Sequence, residues 1–197
     1  MPILAKGELT IQNLDIFNIY DNTVFLDIET SGLDNTLEEE KIDDRAEILE
    51  IGAIKFVDNE IKEFNILIKN QFEVPNNIFE LCQGLSPELL RQDGIELKEA
   101  IDKLEEFLDG SIIVCHNGKF EDSFLKFYYK ECGKEFKNLI IDSMELAAIF
   151  EPTSKEFNLN YLIKSTTTSE TEEVHRGFMD AVDTVCVVNS IIYRYLE

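Results

Sequence analysis

The order of β-rich and helical segments constrains the fold of this chain more than any other feature of its sequence. In residues 23–29, Val24, Leu26 and Ile28 alternate with other side chains, which is the period of a strand. Two further β-rich runs, 48–57 and 60–69, are joined at Asp58-Asn59, which has the turn chemistry of a hairpin. Three such runs in succession predict a sheet that begins with three antiparallel strands.

The rest of the chain alternates helices with short apolar strands. Ser86-Pro87 is an N-cap followed by proline at the first helical position, and Gly110 ends a segment with helical spacing. The sequence predicts helices from 87 onward and at 97–109, 118–132, 143–150 and 158–164, with strands at 111–116 and 139–142. Residues 165–174 have loop composition, and a last helix carries one apolar stripe: Phe178, Ala181, Val185, Val188, Ile192 and Tyr195. The pattern predicts an α/β fold, a mixed sheet with antiparallel strands first and parallel strands after them, flanked by helices.

The chain reads as one domain. Residues 1–22 contain apolar side chains without a clean period and are interpreted as an N-terminal extension, which leaves 23–197 as the domain. The sequence has neither an apolar run of about 18 residues nor the features of a secretory signal, so we expect a cytoplasmic protein that does not enter a membrane. The four cysteines are widely spaced in apolar surroundings, which favours reduced thiols over zinc ligands or disulfides.

Two acidic residues near the end of the first strand are the first candidates for chemistry. Asp27 and Glu29 are two residues apart, so their side chains leave the same face of the strand. Two carboxylates on one face of an apolar strand repel each other and lose hydration, unless a cation lies between them or the face is open to solvent. The sharp turn that follows at residues 30–33 is typical of the sheet edge where α/β folds bind ligands.

Two other segments bring acids to the start of a helix. After the strand that ends at Cys115, Glu121 and Asp122 lie in the first turn of the next helix, where an acid either faces the sheet edge or complements the helix dipole. Asp180 lies in the first turns of the final helix, and His175, five residues earlier, belongs to the preceding loop. A lone loop histidine is usually a surface residue, but both histidines of this chain lie beside an acidic segment.

Taken together, these three segments resemble the DEDD superfamily of 3′–5′ exonucleases, in the branch that carries a catalytic histidine and includes the epsilon subunit of bacterial DNA polymerase III and ribonuclease T. Residues 27–33 (DIETSGL) are similar to the first exonuclease motif, His116-Asn117 with Phe120 begins the second, and 175–184 is similar to the third. The resemblance covers about residues 23–196 and implies a ribonuclease H-like fold. In one departure, Glu121 occupies the position at which the family has Asp. Asp122, the alternate candidate for this position, is the next residue, and its side chain would be rotated by roughly 100° from that of Glu121 around the helix axis.

The resemblance implies a two-metal site that uses Mg²⁺ or Mn²⁺. Asp27 would bridge both ions, Glu29 and Asp180 would complete the first site, and Glu121 would serve the second. His175 would be the general base that activates the attacking water. Three further residues are candidates for substrate binding: Thr30, Leu33 and Asn117.

The charge of the chain bears on the substrate. It contains 18 basic and 40 acidic residues, a net charge of −22, whereas nucleic-acid binders usually carry a basic footprint. Lysines that form a possible basic stripe are interleaved with acids, so an ordinary solvated helix face is favoured: Lys119, Lys126, Lys130, Lys134 and Lys137. We expect short-range binding of a nucleic-acid 3′ end, or a polymerase or other partner protein that supplies affinity.

Three functions follow, and the motifs alone do not separate them. The first is a proofreading or repair exonuclease that releases nucleoside 5′-monophosphates from single-stranded DNA. The second is an enzyme of the same fold that trims RNA or degrades oligoribonucleotides, since metal and phosphate contacts do not read the sugar. The third is a catalytically weak domain that binds ends or a polymerase, which only Glu121 favours.

Overall fold

A computed structural model of the protein describes residues 20–33, 46–58, 60–166 and 175–196. The described residues form a mixed sheet in the order β3-β2-β1-β4-β5, in which β1, β2 and β3 are antiparallel and β4 and β5 run parallel to β1. The strands are β1 (Thr23–Thr30), β2 (Ile48–Val57), β3 (Glu60–Leu67), β4 (Ile112–Cys115) and β5 (Ile140–Asp142). The predicted α/β fold with antiparallel strands first is confirmed.

The helices follow β3 and flank both faces of the sheet. They are α1 (Asn76–Leu81), α2 (Pro87–Asp93), α3 (Leu97–Leu108), α4 (Gly118–Glu131), α5 (Ser143–Phe150), α6 (Leu159–Thr166) and α7 (Gly177–Leu196). The predicted cap of α2 is present, because the backbone N–H of Leu89 donates to Ser86 Oγ at 3.1 Å. Among the described residues, none of these helices combines the length and the apolar character that a membrane crossing requires.

The period of β1 divides the core into two layers. Val24, Leu26 and Ile28 pack with side chains of α3 and α4 on one face of the sheet. Phe25 lies on the other face and packs with side chains of α7, including Phe178. Because side chains alternate along a strand, the face of β1 that carries Phe25 also carries Asp27 and Glu29. The two acids therefore lie on the α7 side of the sheet.

The structure corrects several local predictions. The helix α1 was not predicted, β3 ends at Leu67 rather than at residue 69, and α6 continues through Thr166 into the predicted loop. The acids of residues 34–47, Glu38-Glu39-Glu40 and Asp43-Asp44, predict a solvated loop between β1 and β2. This prediction is wrong at the end of the loop, because Ala46 and Glu47 are buried. The remainder of both loops lies outside the described residues.

The N-terminal extension is described only at its end. The Tyr20 ring contacts Phe25 edge-on at a centroid distance of 5.1 Å, and its hydroxyl donates to Asn189 Oδ1 at 2.6 Å. Residues 20–22 thus pack on the domain, whereas 1–19 lie outside the described part of the chain. The boundary at residue 23 stays a prediction.

Candidate active site

The start of α7 lies directly on the centre of the sheet, and two glycines make this possible. Gly52 on β2 is the cross-strand partner of Asp27. A Cβ at Gly52 would lie 1.9 Å from the backbone nitrogen of Phe178, and a Cβ at Gly177 would lie 3.0 Å from the carbonyl oxygen of Asp27. Without side chains at these two positions, the first turn of α7 contacts the backbone of β1 and β2. The approach brings Asp180 to the carboxyl end of β1.

Three predicted site residues converge at this point. One ligand atom from each of Glu29, His175 and Asp180 lies within 4.8 Å of the other two. Asp180 is 3% exposed, while Glu29 and His175 are half-buried. His175 has a positive φ of 47°, a conformation that a residue with a Cβ adopts only when its surroundings hold it there. Asp27 lies two residues before Glu29 on the same face and is also half-buried.

Glu121, not Asp122, faces this cluster. Glu121 is 2% exposed in the first turn of α4, and its Oε2 has no hydrogen-bond partner among the described residues. The pKa of the Glu121 carboxyl lies well above its usual range, chiefly because the group is buried. The negative charges of Asp142 and Glu29 also raise this pKa, and a hydrogen bond from the backbone N–H of Glu121 opposes the rise only in part. Asp122 instead lies on the outer face of α4, where Lys126 donates to its Oδ2 at 2.6 Å.

These side chains fit divalent cations of the Mg²⁺ type. Burying a carboxylate oxygen without a hydrogen-bond donor costs free energy. A bound cation would offset this cost and leave the carboxylate ionised. The first cluster offers carboxylate oxygens together with one histidine, and Glu121 adds a further carboxylate. Oxygen ligands of this kind suit Mg²⁺ or Mn²⁺.

The turn after β1 is held by its own hydrogen bonds and by the start of β2. The Thr30 hydroxyl donates to the carbonyl oxygen of Gly32 at 2.6 Å. Ser31 and Glu47 are joined twice at 2.8 Å, since the Ser31 N–H donates to the Glu47 carbonyl and the Glu47 N–H donates to Ser31 Oγ. Leu33 is 87% exposed at the end of this turn. The turn therefore presents an apolar side chain to solvent, four residues after Glu29, on a hydrogen-bonded backbone.

The sequence matches the exonuclease family RNase_T over residues 24–188. This chain belongs to that family. The prediction of a DEDD-type 3′–5′ exonuclease, made from three motifs, is thereby confirmed.

Similar proteins agree with this assignment. The chain is 32% identical over 162 residues to the PolC-type DNA polymerase III of Clostridium perfringens, a match that covers 82% of this chain and 10% of that protein. The exonuclease thus spans about a tenth of the length of the curated relatives it matches.

Solved structures share the fold at low identity. The zinc-bound complex of Escherichia coli exonuclease I with single-stranded DNA gives a TM-score of 0.71 at 16% identity and covers 89% of this chain and 41% of that one. The nuclease domain of 3′hExo, a DEDDh family member bound to rAMP, gives 0.65 at 11% identity and covers 88% and 90%. The ribonuclease H-like architecture expected from the sequence is confirmed.

The second histidine of the exonuclease has a structural environment. His116 follows β4, and its ring nitrogens lie 2.9 Å from Ser143 Oγ and 2.9 Å from the carbonyl oxygen of Phe157. Burial lowers the pKa of His116, which the hydrogen bond to Phe157 and the charge of Asp142 partly oppose. His116 thereby ties the end of β4 to α5 and to the segment before α6.

Asn117, a predicted substrate-binding residue, lies at the exposed start of α4. Its φ is 66°, and its backbone N–H donates to Asp142 Oδ1 at 3.1 Å. The same carboxylate oxygen accepts the N–H of Met144 at 2.9 Å and caps α5. The contact links the starts of α4 and α5, and so supports the segment that carries Glu121.

Two contacts of the acidic cluster were not foreseen in the sequence. The Cys82 thiol donates to Glu29 Oε2 at 3.2 Å, although Cys82 was interpreted as a small apolar residue. Arg176 forms an ion pair with Glu50, the cross-strand partner of Glu29. Both pairs join residues far apart in the chain, so the periodicity of the sequence does not predict them. The only sequence signal is that Glu50 and His175-Arg176 lie in segments that resemble the family.

Most lysines of α4 and of the segment after it form ion pairs with acids, as expected for a solvated helix face. Lys126 pairs with Asp122, Lys119 lies 3.6 Å from Glu145, and Lys137 lies 3.1 Å from Glu135. Lys134 is paired with Asp102 at 2.7 Å and also with Glu105. Four of the five lysines of the possible stripe therefore already have acidic partners.

Proposed function

We propose that this exonuclease removes nucleotides from the 3′ end of single-stranded DNA in a reaction that depends on Mg²⁺ or Mn²⁺. The products would be nucleoside 5′-monophosphates, and the role would be proofreading or repair in the cytoplasm. The observation that carries the proposal is the convergence of Glu29, His175 and Asp180 at the end of β1, with the buried carboxyl of Glu121 facing the same place.

The carboxylates have distinct positions in this proposal. Asp27 and Glu29 come from β1, Asp180 from α7 and Glu121 from α4, so three elements contribute oxygens from different directions. Asp27 would contact both cations, Glu29 and Asp180 would complete the first site, and Glu121 would hold the second. When bound, the cations stabilise negative charge on the attacking and leaving oxygens.

His175 would act as the general base. Its ring lies within 4.8 Å of ligand atoms of Glu29 and Asp180, at the rim of the site and half-buried. From there it would take a proton from the water that attacks the phosphorus of the last phosphodiester, and the bond from that phosphorus to the 3′ oxygen of the preceding nucleotide would break. Removal of such a base typically slows a reaction by about 10²- to 10⁴-fold.

The turn at residues 30–33 would receive the terminal nucleotide. Its backbone is fixed by the Ser31–Glu47 pair, and the exposed Leu33 side chain offers an apolar surface to a base. Thr30 supports this backbone through its bond to Gly32. Asn117 would act by supporting the start of α4, which carries Glu121.

The relatives favour DNA over RNA. PolC-type DNA polymerase III is the relative with 32% identity, and exonuclease I was solved with single-stranded DNA. The rAMP bound to 3′hExo keeps oligoribonucleotides as the second candidate substrate. A polymerase is the partner that the PolC relatives suggest. The third function, an inactive accessory domain, rested on Glu121 alone, and the burial of that side chain toward the acidic cluster argues against it.

The test of the proposal uses DNA and RNA single strands of equal length and sequence, labelled at the 3′ terminal nucleotide. We expect labelled nucleoside 5′-monophosphate from DNA with Mg²⁺ or Mn²⁺, none with EDTA, and a loss of about 10²-fold or more in His175→Ala. Faster release from RNA would select the second function. Cleavage of neither strand would select the accessory domain, and wild-type activity in His175→Ala would exclude His175 as the base.

A matched pair of variants tests the position of the second metal. Glu121→Gln removes the charge of the inward carboxyl, whereas Asp122→Asn removes the charge of its outward neighbour. We expect Glu121→Gln to lose most of its activity and to need more Mg²⁺ for half-maximal rate, and Asp122→Asn to retain wild-type values. The opposite result would assign the second metal to Asp122.

A further inference from the structure

Arg176, the residue that follows His175, is held by three hydrogen bonds, two to the Glu50 carboxylate and one to the Gln83 carbonyl. Its Nε and Nη2 donate to Glu50 Oε2 and Oε1 at 2.8 and 2.9 Å, and its Nη1 donates to the carbonyl oxygen of Gln83 at 3.3 Å. The N–H of Gly177 also points to Glu50 Oε2, at 3.4 Å. The guanidinium thus connects β2, the segment between α1 and α2, and the start of α7.

The pair is buried at its acidic end. Glu50 is fully buried and lies opposite Glu29 in the β1–β2 register, so an unpaired charge there would face a second carboxylate. The bidentate geometry satisfies both oxygens of Glu50, and these hydrogen bonds raise the pKa of Arg176 above its usual value. A lysine would keep the positive charge but not the planar fork, so the arrangement is specific for arginine.

The pair fixes the backbone immediately after His175. His175 has a φ of 47°, and such a conformation persists only where neighbouring contacts hold it. Arg176 is the next residue, and its side chain reaches across to a strand 126 positions earlier in the chain. Loss of the pair would free the His175 backbone to leave this conformation, while the rest of α7 stays packed on the sheet through its apolar residues.

We propose that Arg176 and Glu50 form a positioning clamp, which acts on the reaction by orienting His175 and makes no contact with the substrate. The clamp rests on the proposed function, in which His175 is the general base. It predicts that weakening the pair lowers kcat and leaves KM nearly unchanged. It also predicts that the effect vanishes when His175 is absent, because nothing then remains to be oriented.

The experiment measures nucleotide release by Arg176→Lys and Glu50→Gln, alone and combined with His175→Ala, under single-turnover conditions that detect residual activity. Arg194→Lys is the matched control, since Arg194 pairs with Glu151 at 2.6 Å near the other end of the same helix. A displacement of about 1 Å at a reacting group costs on the order of 10²-fold. We therefore expect kcat to fall by about 10- to 100-fold in Arg176→Lys and Glu50→Gln, with KM within about twofold, and Arg194→Lys to match the wild type.

The double variants separate the clamp from other roles. With His175→Ala present, Arg176→Lys should change the residual rate by less than about twofold, because coupled residues are not additive. An undiminished effect in that background would overturn the clamp, as would a rise in KM alone or the loss of cooperative unfolding in both single variants. Wild-type activity of His175→Ala alone would instead refute the proposed base, and the clamp with it.

Discussion

Replacement of Gly52 by alanine tests whether the contact between α7 and the sheet builds the active site. The added Cβ would lie 1.9 Å from the backbone nitrogen of Phe178, 2.1 Å from the carbonyl carbon of Gly177 and 2.3 Å from the Phe178 Cα. These are backbone atoms, so no side-chain rotation relieves the overlap. The first turn of α7 must move away from β2, and it carries Asp180 and the end of the His175 segment with it.

The size of the displacement follows from these distances. To reach an ordinary contact, the Phe178 nitrogen must move from 1.9 Å to at least 3.4 Å from the new Cβ, a shift of about 1.5 Å. A misplacement of about 1 Å in an active site costs on the order of 10²-fold in rate. Overpacking a core position typically costs about 1–3 kcal/mol in stability. We therefore expect kcat to fall by about 10²-fold or more while the protein still folds.

Two further glycines calibrate this result. Gly177→Ala places its Cβ 3.0 Å from Asp27 O and Gly52 N, which requires a shift of a few tenths of an ångström and should give a smaller loss. Gly110→Ala introduces no contact within 4 Å but strains a φ of 64°, so it should lower stability without lowering kcat. Rates of nucleotide release and urea unfolding curves are measured for all three. A kcat for Gly52→Ala within about threefold of the wild type would refute the reasoning, because the expected loss is about 10²-fold.

Two other predictions concern pH and salt. Burial lowers the pKa of His116, so the folded state binds a proton at this residue less tightly than the unfolded state does. The contribution of neutral His116 to the free energy of unfolding is therefore complete above pH 6.5. It declines on acidification by at most about 1.4 kcal/mol per pH unit. Urea unfolding of the wild type and His116→Gln between pH 5 and 7.5 should show a flatter dependence in the variant, and equal slopes would contradict the assignment. Because two of the three lysines of α4, Lys119 and Lys126, are paired with acids, we expect about one phosphate contact. Raising the salt concentration fourfold should then weaken binding of single-stranded DNA by only about threefold, and a tenfold loss would contradict this expectation.

Local periodicity was sufficient to predict most of the fold. The apolar residues of β1 alternate along the strand, β2 is apolar except at Glu50, Gly52 and Lys55, and α2 has a side-chain cap at Ser86. The positions of these elements therefore follow from interactions within about ten residues of sequence. The helix α1 was missed because its N-cap is Pro75 without a side-chain hydrogen bond, and none of its residues is buried. A helix of six residues without a side-chain cap has fewer than two turns, too few for a periodic signal in the sequence.

The acidic positions of the site were predicted for a different reason. Asp27 and Glu29 share a face because a strand has a period of two, and Glu121 and Asp122 point apart because one helical step rotates a side chain by roughly 100°. These rules hold within one element. The partners of the acids lie in other elements, and the pairs Glu29–Cys82 and Glu50–Arg176 span 53 and 126 residues. A single sequence does not specify which distant residues meet, so the hydrogen bonds that orient the site became visible only in the folded chain.

The net charge of −22 also has a consequence for how the site is reached. A phosphodiester that approaches α4 or the segment after it meets lysines that are already paired with acids, such as Lys119, Lys126 and Lys137. In the proposed function, cations would bind at the end of β1, where the carboxylates of Glu29 and Asp180 converge. Attraction for a phosphate would then begin only close to those cations, because the acidic surface repels the rest of a polyanion. Such a surface favours a substrate that inserts one flexible end over a duplex that lies along the protein.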